Sequence, residues 1–556
     1  MLSKIGVTVQ GLTNLHTIVL IVILALALGL RLWGISFGLP YEYHVDEVQY
    51  VRQAASMGER GLEPTWWNNP PFYKYVLFAE YAALFVIGRA LGAYASVAEF
   101  GRLNSLDPTL LYLLGRITSA FFGTATVLTT YWLGKTAYNR RTGLIAAFFL
   151  AVCFVHVRDS HYAVNDAALV FFVTVGLLAC AKIVQRASLR WYVVAGIATG
   201  VGFATKYTAA FVLVPLLTAH TVSRMNEATT GVMPKRRLAL GLAVAGIAAA
   251  VASPYFVIAP SKVVSDVYRA LFLAGHYGFD GWEIDPSGGY AFYLKSLAWG
   301  LGWPLLALSL AGLVIAVVRH CRQDVVFMSL PVVMYLVLGR QQMFFARFIL
   351  PAVPALVVLG SCLLEKIVSS LVRSRSIMMA TASIAAVLVG GQPLAAVLRH
   401  DALLTSTDTR TQAKTWIEAN IAENSKIAVD WPVHGPPLAT QEKGVPNSTR
   451  LYDVTIVGGS GLSEHSAEYY RENGYDYLIA SSFIYNIPLV DKEQDAARRA
   501  FYASLDKEFK LVKVFKPYSG ENEPPFIFDQ IYGPATSLFE FERPGPTLKI
   551  YQVVPK

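Results

Sequence analysis

Apolar stretches of membrane-spanning length recur from Leu15 to about Leu398 and then stop. That recurrence leaves few architectures open, because lipid offers no partners to backbone N–H and C=O groups and only structures that satisfy their own backbone can cross it. The chain is therefore expected to be mainly α and polytopic. With 54% hydrophobic and 15% charged residues over 556 positions, a soluble globular fold is excluded for most of the length. Two regions are predicted: a membrane region over 1–400 and, over 401–556, a region of ordinary aqueous composition.

The net charge of +9 does not point to nucleic acid. Its cations sit in short clusters between the apolar runs: Lys135/Arg140/Arg141, Lys182/Arg186/Arg190, Lys235/Arg236/Arg237, Arg319/Arg322 and Lys366/Arg373/Arg375. Such clusters mark cytoplasmic loops. With an inside N-terminus, spans are expected near 15–34, 111–134, 144–157, 167–184, 191–205, 207–222, 238–258, 296–318, 324–339, 348–368 and 377–398, about eleven crossings. An odd number puts residues 401–556 outside, after a large first outer loop over 35–110. Val76 to Leu91 would break this parity as a span and is expected to be an interfacial or re-entrant helix; a shallow crossing pair is the alternative. The four cysteines lie in or beside apolar runs, with no disulfide or zinc spacing. Leu15 to Trp33 lacks a small-residue cleavage site and is expected to be a retained span.

Under this topology ionisable residues gather at the outer interface: Asp46, Glu47, Lys74, Arg116, Arg158, Asp159, His161, Asp166, Lys206 and Arg347. Each is costly in a membrane segment, by ~2.5–3.5 kcal/mol on insertion scales, so a functional role is the default. Asp46 and Glu47 lie in Tyr41-Glu42-Tyr43-His44-Val45-Asp46-Glu47-Val48-Gln49-Tyr50. The structural alternative is a helix start with Asp46 as its cap and Glu47 favoured by the dipole. Neighbours on a helix diverge by ~100°, so one acid faces a shared site, and Asp46, with Gln49 and Tyr50 on its face, is expected to be that one. Asp166 is the second acid. Two converging carboxylates suit a general base and an acceptor or metal holder, a possible divalent cation falling between Asp46 and Asp166. Lys74, Arg116, Lys206 and Arg347 would together hold a phosphate at headgroup depth; singly, each could be a snorkelling anchor.

These motifs resemble the dolichyl-phosphate-mannose protein O-mannosyltransferases and their bacterial relatives, membrane glycosyltransferases of the GT-C fold. Asp46-Glu47-Val48 is similar to the family's Asp-Glu-Val. Asn69-Pro70-Pro71-Phe72-Tyr73-Lys74 is similar to its His-Pro-Pro-x-x-Lys, and Arg116 through Gly123 to its Arg-x-x-Ser-Ala-x-x-Gly. Ser160-His161-Tyr162 through Asp166 is similar to its Ser-Arg-Tyr-x-x-x-Asp. Lys206 and Arg347 lie in segments like others of the wider superfamily. The resemblance covers about residues 35–210 well, with Asn69 in place of His, His161 in place of Arg, and no β-trefoil insert between the later spans. It implies a polyprenyl-phosphate-sugar donor, Asp46 as catalytic base with Glu47 and Asp166, donor phosphate near Lys74, Arg116, Lys206 and Arg347, and an acceptor that is a protein hydroxyl or, alternatively, a lipid or lipid-linked glycan. Direct displacement at the anomeric carbon would invert its configuration. Tyr50, Asn69, His161 and His276 are further candidate substrate contacts.

No nucleotide-binding glycine-rich loop appears, which fits a lipid-linked donor. Gly275 to Pro286 mixes glycine, aromatics and acids as a sugar-contacting loop would, although an ordinary interfacial turn has the same composition. Beyond Thr409 the pattern predicts a small α/β region, with helices over Thr411 to Ile421 and Ser466 to Asn473 and strands at Lys426 to Val429, Tyr475 to Ala480, Lys510 to Phe515 and Leu548 to Val553. A transporter or lipid flippase is the competing class. Transporters favour midplane sites and repeated halves; here the charges lie at one interface and no repeat of the Asp-Glu or Pro-Pro segments occurs. The expected location is a bacterial or archaeal plasma membrane, with site and C-terminal region extracytoplasmic.

Overall fold

In a computed structural model, which describes residues 3–65, 69–227, 234–269, 281–430 and 433–554, the apolar stretches are helices and the strands are confined to the last quarter of the chain. Among the described residues up to Thr205 there are nine α-helices: α1 (Ser3–Leu32), α2 (Glu47–Arg60), α3 (Phe72–Ala90), α4 (Val97–Leu106), α5 (Thr109–Ala137), α6 (Arg140–Ala151), α7 (Phe154–Arg158), α8 (Asp166–Gln185) and α9 (Leu189–Thr205). Asn139 caps α6 and Ser96 caps α4, each side chain accepting a backbone N–H of the first turn. The main core joins α5, α6 and α8 to the helices Gly288–Leu301, Arg322–Leu338 and Val353–Leu371.

Five described helical stretches are long and apolar enough to cross a bilayer, beginning at Leu15, Thr109, Asp166, Ala346 and Ser376. The pair Gly288–Leu301 and Trp303–Arg319 makes a sixth if taken as one span, bent by 118°. The bend falls at Gly302, whose φ of +73° no β-carbon residue adopts without strain and whose missing Cβ leaves room for Pro393. The expected count of eleven is therefore matched by five or six such stretches among the described residues. The run over 144–157 is split between α6 and α7 at Val152 and Cys153, and the expected spans 191–205 and 207–222 meet where α9 ends at Thr205 and a 3-10 turn, Tyr207–Val212, follows. The Val76 to Leu91 segment lies in α3, which is not one of these stretches; Lys74, Glu80 and Arg89 break its apolar run.

The C-terminal region holds a five-stranded sheet: β1 (Lys426–Asp430), β2 (Asp453–Val457), β3 (Tyr477–Ser481), β4 (Lys510–Phe515) and β5 (Leu548–Gln552), in the order β2-β1-β3-β5-β4. β1 runs parallel to β2 and β3, while β5 runs antiparallel to β3 and β4. The helices Thr409–Asn420 and Lys492–Glu508 pack against it. β2 and Lys492–Glu508 are two elements that sequence patterning missed.

Asp430 ends β1 fully buried, accepting from the Leu462 and Ser481 N–H groups and the Tyr502 hydroxyl. Burial pushes its carboxyl up to about 6 from an ordinary 3.8. The folded state thus holds this proton more tightly than the unfolded chain does. The stabilisation is complete below the unfolded value and is lost as pH rises through about 6, a change on the order of 3 kcal/mol. Hydrogen exchange of the β1 amides in the intact protein between pH 4 and 7 should therefore show wild type losing protection relative to Asp430→Asn; parallel pH profiles would refute it.

Candidate active site

The chain leaves α1 through a loop of turns and starts α2 at Glu47. Asp46 occupies the N-cap position but makes no side-chain cap hydrogen bond. Its carboxylate instead meets Arg347, Nη2 to Oδ2 at 3.0 Å. The same guanidinium lies 4.0 Å from Asp166 Oδ2, and Lys206 Nζ lies 2.6 Å from Asp166 Oδ1. Four of the expected site residues, from four separate segments, thus form one chain of charge: Asp46, Arg347, Asp166, Lys206. Arg347 spans the two acids that the sequence reading offered as holders for an optional divalent cation.

Local sequence explains the placement. Asp166 begins α8, where the helix dipole favours a carboxylate. Lys206 follows the last turn of α9 with extended backbone, so its side chain leaves the helix direction. Arg347 lies in a 3-10 turn, Ala346–Phe348, ahead of Pro351 and Pro354, which hold the chain out of a regular helix until Val353. Phe348 lies under both cations, 5.1 Å from Lys206 Nζ and 5.9 Å from the Arg347 guanidinium carbon. Accessibility separates the acids: the Asp46 side chain is 24% exposed, those of Asp166 and Glu47 only 3% and 0%.

Glu47 and Arg116 do something else. Arg116 Nε and Nη2 bind both Glu47 oxygens at 2.7 and 2.8 Å, and Nη1 donates to the Ile35 and Phe37 carbonyls, each at 2.8 Å. Glu47 also accepts the Ala163 N–H at 2.7 Å. Both side chains are buried, and the fork geometry of Arg116 is consumed within the fold. Expected in the phosphate set, it is engaged here in fixing α2 to α5 and, through Glu47, to the segment before Asp166. Ser119, in the same motif, shares a hydrogen bond with the Tyr73 hydroxyl and donates to the Val164 carbonyl.

Lys74 and Tyr50 come together beside the charge chain, Lys74 Nζ 5.9 Å from the Tyr50 ring, which stands edge-on to Tyr73. Asn69 is half-buried ahead of α3. His161, expected among the substrate contacts, has its ring buried against the Val157 and Trp33 carbonyls, because the irregular stretch between α7 and α8 turns it toward the end of α1. His276 lies outside the described residues.

Sequence reading missed the contribution of the C-terminal region. A short 3-10 turn, Phe528–Tyr532, enters the site and lays Tyr532 4.0 Å from the Arg347 guanidinium carbon. Asp529 accepts the Ala346 N–H at 3.3 Å and pairs with Arg158 at 3.4 Å. His44 stacks on Tyr162 at 4.2 Å and is held neutral, well below its ordinary range, by burial and then by the Arg347, Arg116, Arg158 and Arg410 charges. No motif in the sequence marks Asp529 or Tyr532. Gly533 closes the turn at φ +127°, where an added Cβ would lie 2.0 Å from the Tyr162 hydroxyl. Gly533→Ala is therefore expected to destabilise this docking by ~1–3 kcal/mol, read as a lower melting temperature and faster proteolysis between 401 and 430.

Residues 113–257 match the family model described as dolichyl-phosphate-mannose-protein mannosyltransferase, a segment that carries Arg116, Asp166 and Lys206. The dolichyl-phosphooligosaccharide-protein glycotransferase 2 of Pyrococcus furiosus is 31% identical over 200 residues, 34% of this chain and 25% of the relative, so the chain matches a quarter of that relative's length. The crystal structure of the Archaeoglobus fulgidus oligosaccharyltransferase in the apo form is similar with a TM-score of 0.53 at 14% identity, over 90% of this chain and 73% of the other. ArnT from Cupriavidus metallidurans, solved bound to undecaprenyl phosphate, gives 0.50 at 14% identity, over 86% and 94%. Mainly helical, with a C-terminal sheet and the mannosyltransferase family's match in residues 113–257, the chain has the fold of the GT-C glycosyltransferases.

Proposed function

We propose that the protein transfers a sugar from a polyprenyl-phosphate donor to an acceptor hydroxyl at the outer face of a membrane, with inversion at the anomeric carbon. The observation that carries this reading is Arg347 bridging Asp46 and Asp166, with Lys206 on Asp166. A site made of one accessible carboxylate and two cations suits a reaction in which a hydroxyl loses a proton while a phosphate departs. Pairing with the guanidinium occupies the Asp46 carboxylate. When a donor phosphate arrives it competes for Arg347, and as that pair loosens Asp46 becomes free to accept the hydroxyl proton. The new glycosidic bond forms from the acceptor oxygen as the bond from anomeric carbon to phosphate oxygen breaks, and the charge left on the phosphate falls on Arg347 and Lys206, with Lys74 nearby.

Similarity to proteins named for dolichyl-phosphate and undecaprenyl-phosphate chemistry supports the class of donor. The sugar is proposed to be mannose or another hexose or pentose, and the acceptor a protein Ser/Thr or a glycolipid. The test incubates the purified chain with labelled polyprenyl-phosphate mannose and, in separate arms, Ser/Thr-rich peptide and lipid-linked glycan. Transfer to either arm supports the reading. Neither transfer nor donor hydrolysis in any arm, across several sugar donors, would sink it.

A further inference from the structure

His161 does not face the charge chain, yet its surroundings are unusual for a histidine at the end of a helical turn. Its Nδ1 lies 2.9 Å from the Val157 carbonyl oxygen and its Nε2 lies 3.0 Å from the Trp33 carbonyl oxygen. Asp401 Oδ1 stands 3.4 Å from the same Nε2. A neutral imidazole has one N–H. With that hydrogen on Nδ1, donated to Val157, a nitrogen lone pair meets two oxygens, and all three are acceptors. A second imidazole joins them, His400 Nδ1 lying 3.0 Å from Asp401 Oδ1. The ligand atoms of His161, His400 and Asp401 lie within 4.8 Å of one another, all three side chains buried to 1% exposure or less. Two further atoms of the group, His400 Nε2 and Asp401 Oδ2, are buried without a hydrogen-bond partner. One added proton would relieve the His161 contact alone.

We infer that His161, His400 and Asp401, completed by the Trp33 carbonyl, form a structural site for a divalent ion of the zinc class. Two imidazoles with a carboxylate and a carbonyl make a mixed nitrogen and oxygen set of the number zinc prefers. The contact from His161 Nδ1 to the Val157 carbonyl is the kind of outer bond that fixes a ligating tautomer. Three buried side chains and a backbone carbonyl, all from the protein, fill the four positions of a structural rather than a catalytic site. The nearby guanidinium groups point elsewhere: Arg31 donates to the Ala27 carbonyl and contacts His156, and Arg158 is paired with Asp159 and Asp529. An ion here ties together the end of α1, the stretch between α7 and α8 that leads to Asp166, and the end of the helix Arg375–Leu404. It is separate from the Asp46 and Asp166 pair, so it stands whether or not the transferase reading does.

The full chain, purified without a histidine tag and equilibrated with Zn2+ alone, is expected to retain one zinc per chain after desalting. His400→Gln and Asp401→Asn lose it, while Asp46→Asn and Asp166→Asn keep it. Because a triad variant could fail to fold, the wild type is also loaded with Co2+, where four-coordinate nitrogen and oxygen ligands give visible d–d bands, and treated with a chelator, which lowers its melting temperature. If the wild type retains no metal at saturating Zn2+, the group shares a proton and the site does not exist. Metal lost from Asp46→Asn or Asp166→Asn but kept by the triad variants would overturn the assignment equally.

Discussion

Asp46→Asn is expected to lower the rate of sugar transfer by ~10²–10⁴-fold while leaving binding of the lipid phosphate nearly unchanged. Asparagine matches the size of aspartate and can still accept from Arg347 through its carbonyl oxygen, so the guanidinium keeps a partner. What disappears is a group able to take the hydroxyl proton. Asp46 is the member of the cluster suited to this task because an acceptor can reach it: its side chain is 24% exposed, against 3% for Asp166. The contrast is Asp166→Asn, which weakens the anchors of both Lys206 and Arg347 and should raise KM for the donor along with lowering kcat. Steady-state kinetics with varied donor separates the two. An Asp46→Asn enzyme at full rate, or an Asp166→Asn enzyme that loses kcat alone, would reverse the assignment of base and anchor.

The cations need a similar separation. Arg347→Lys keeps the charge but loses the fork by which one guanidinium reaches two carboxylates, so a moderate rise in donor KM is expected. Tyr532→Leu should act in the same direction through Arg347, and Tyr532→Phe, which keeps the ring against the guanidinium, should restore most of the affinity. If both Tyr532 variants bind donor as the wild type does, the C-terminal turn has no part in positioning Arg347.

Charge at one interface was a readable signal because each ionisable residue beside an apolar run is costly. It drew Asp46, Asp166, Lys206 and Arg347 together before any geometry was known. Pairing was not readable: Glu47 and Arg116 are 69 positions apart, and nothing in either motif says that they meet each other rather than a substrate. The same limit hid Tyr532 and Asp529, which belong to a short turn without periodicity and matter only through what they touch. His161 was misplaced because its position depends on how an irregular stretch turns, and hydrophobic patterning carries no information about that. β2 escaped for a related reason. Its polar and apolar residues do alternate over Asp453-Val454-Thr455-Ile456, but the stretch is too short and too exposed to stand out from a loop. Helix breaks inside a run were hidden too: the stretch over 144–157 reads the same whether one helix or two pass through it, and the structure splits it at Val152 and Cys153.

Arg116→Met is expected to be the most damaging substitution to the fold, costing ~3–5 kcal/mol, because it leaves the Glu47 carboxylate buried without its counter-charge. The Glu47 side chain has no exposed surface through which water could replace the guanidinium. Its remaining described partner is the Ala163 N–H, and the Ile35 and Phe37 carbonyls lose their donor at the same time. Glu47→Gln should be milder, since an amide can still accept from Ala163 and Arg116. The double variant Glu47→Leu/Arg116→Met should recover part of the loss, as paired apolar groups replace a paired charge of similar volume. Melting in detergent, followed for the single and double variants, gives the coupling between the two residues. The decisive comparison is with donor binding in whatever fraction of Arg116→Met folds. A structural role predicts near-normal affinity for the lipid phosphate in that fraction. A role in holding phosphate predicts a stable protein that no longer binds it, and that result would return Arg116 to the substrate site.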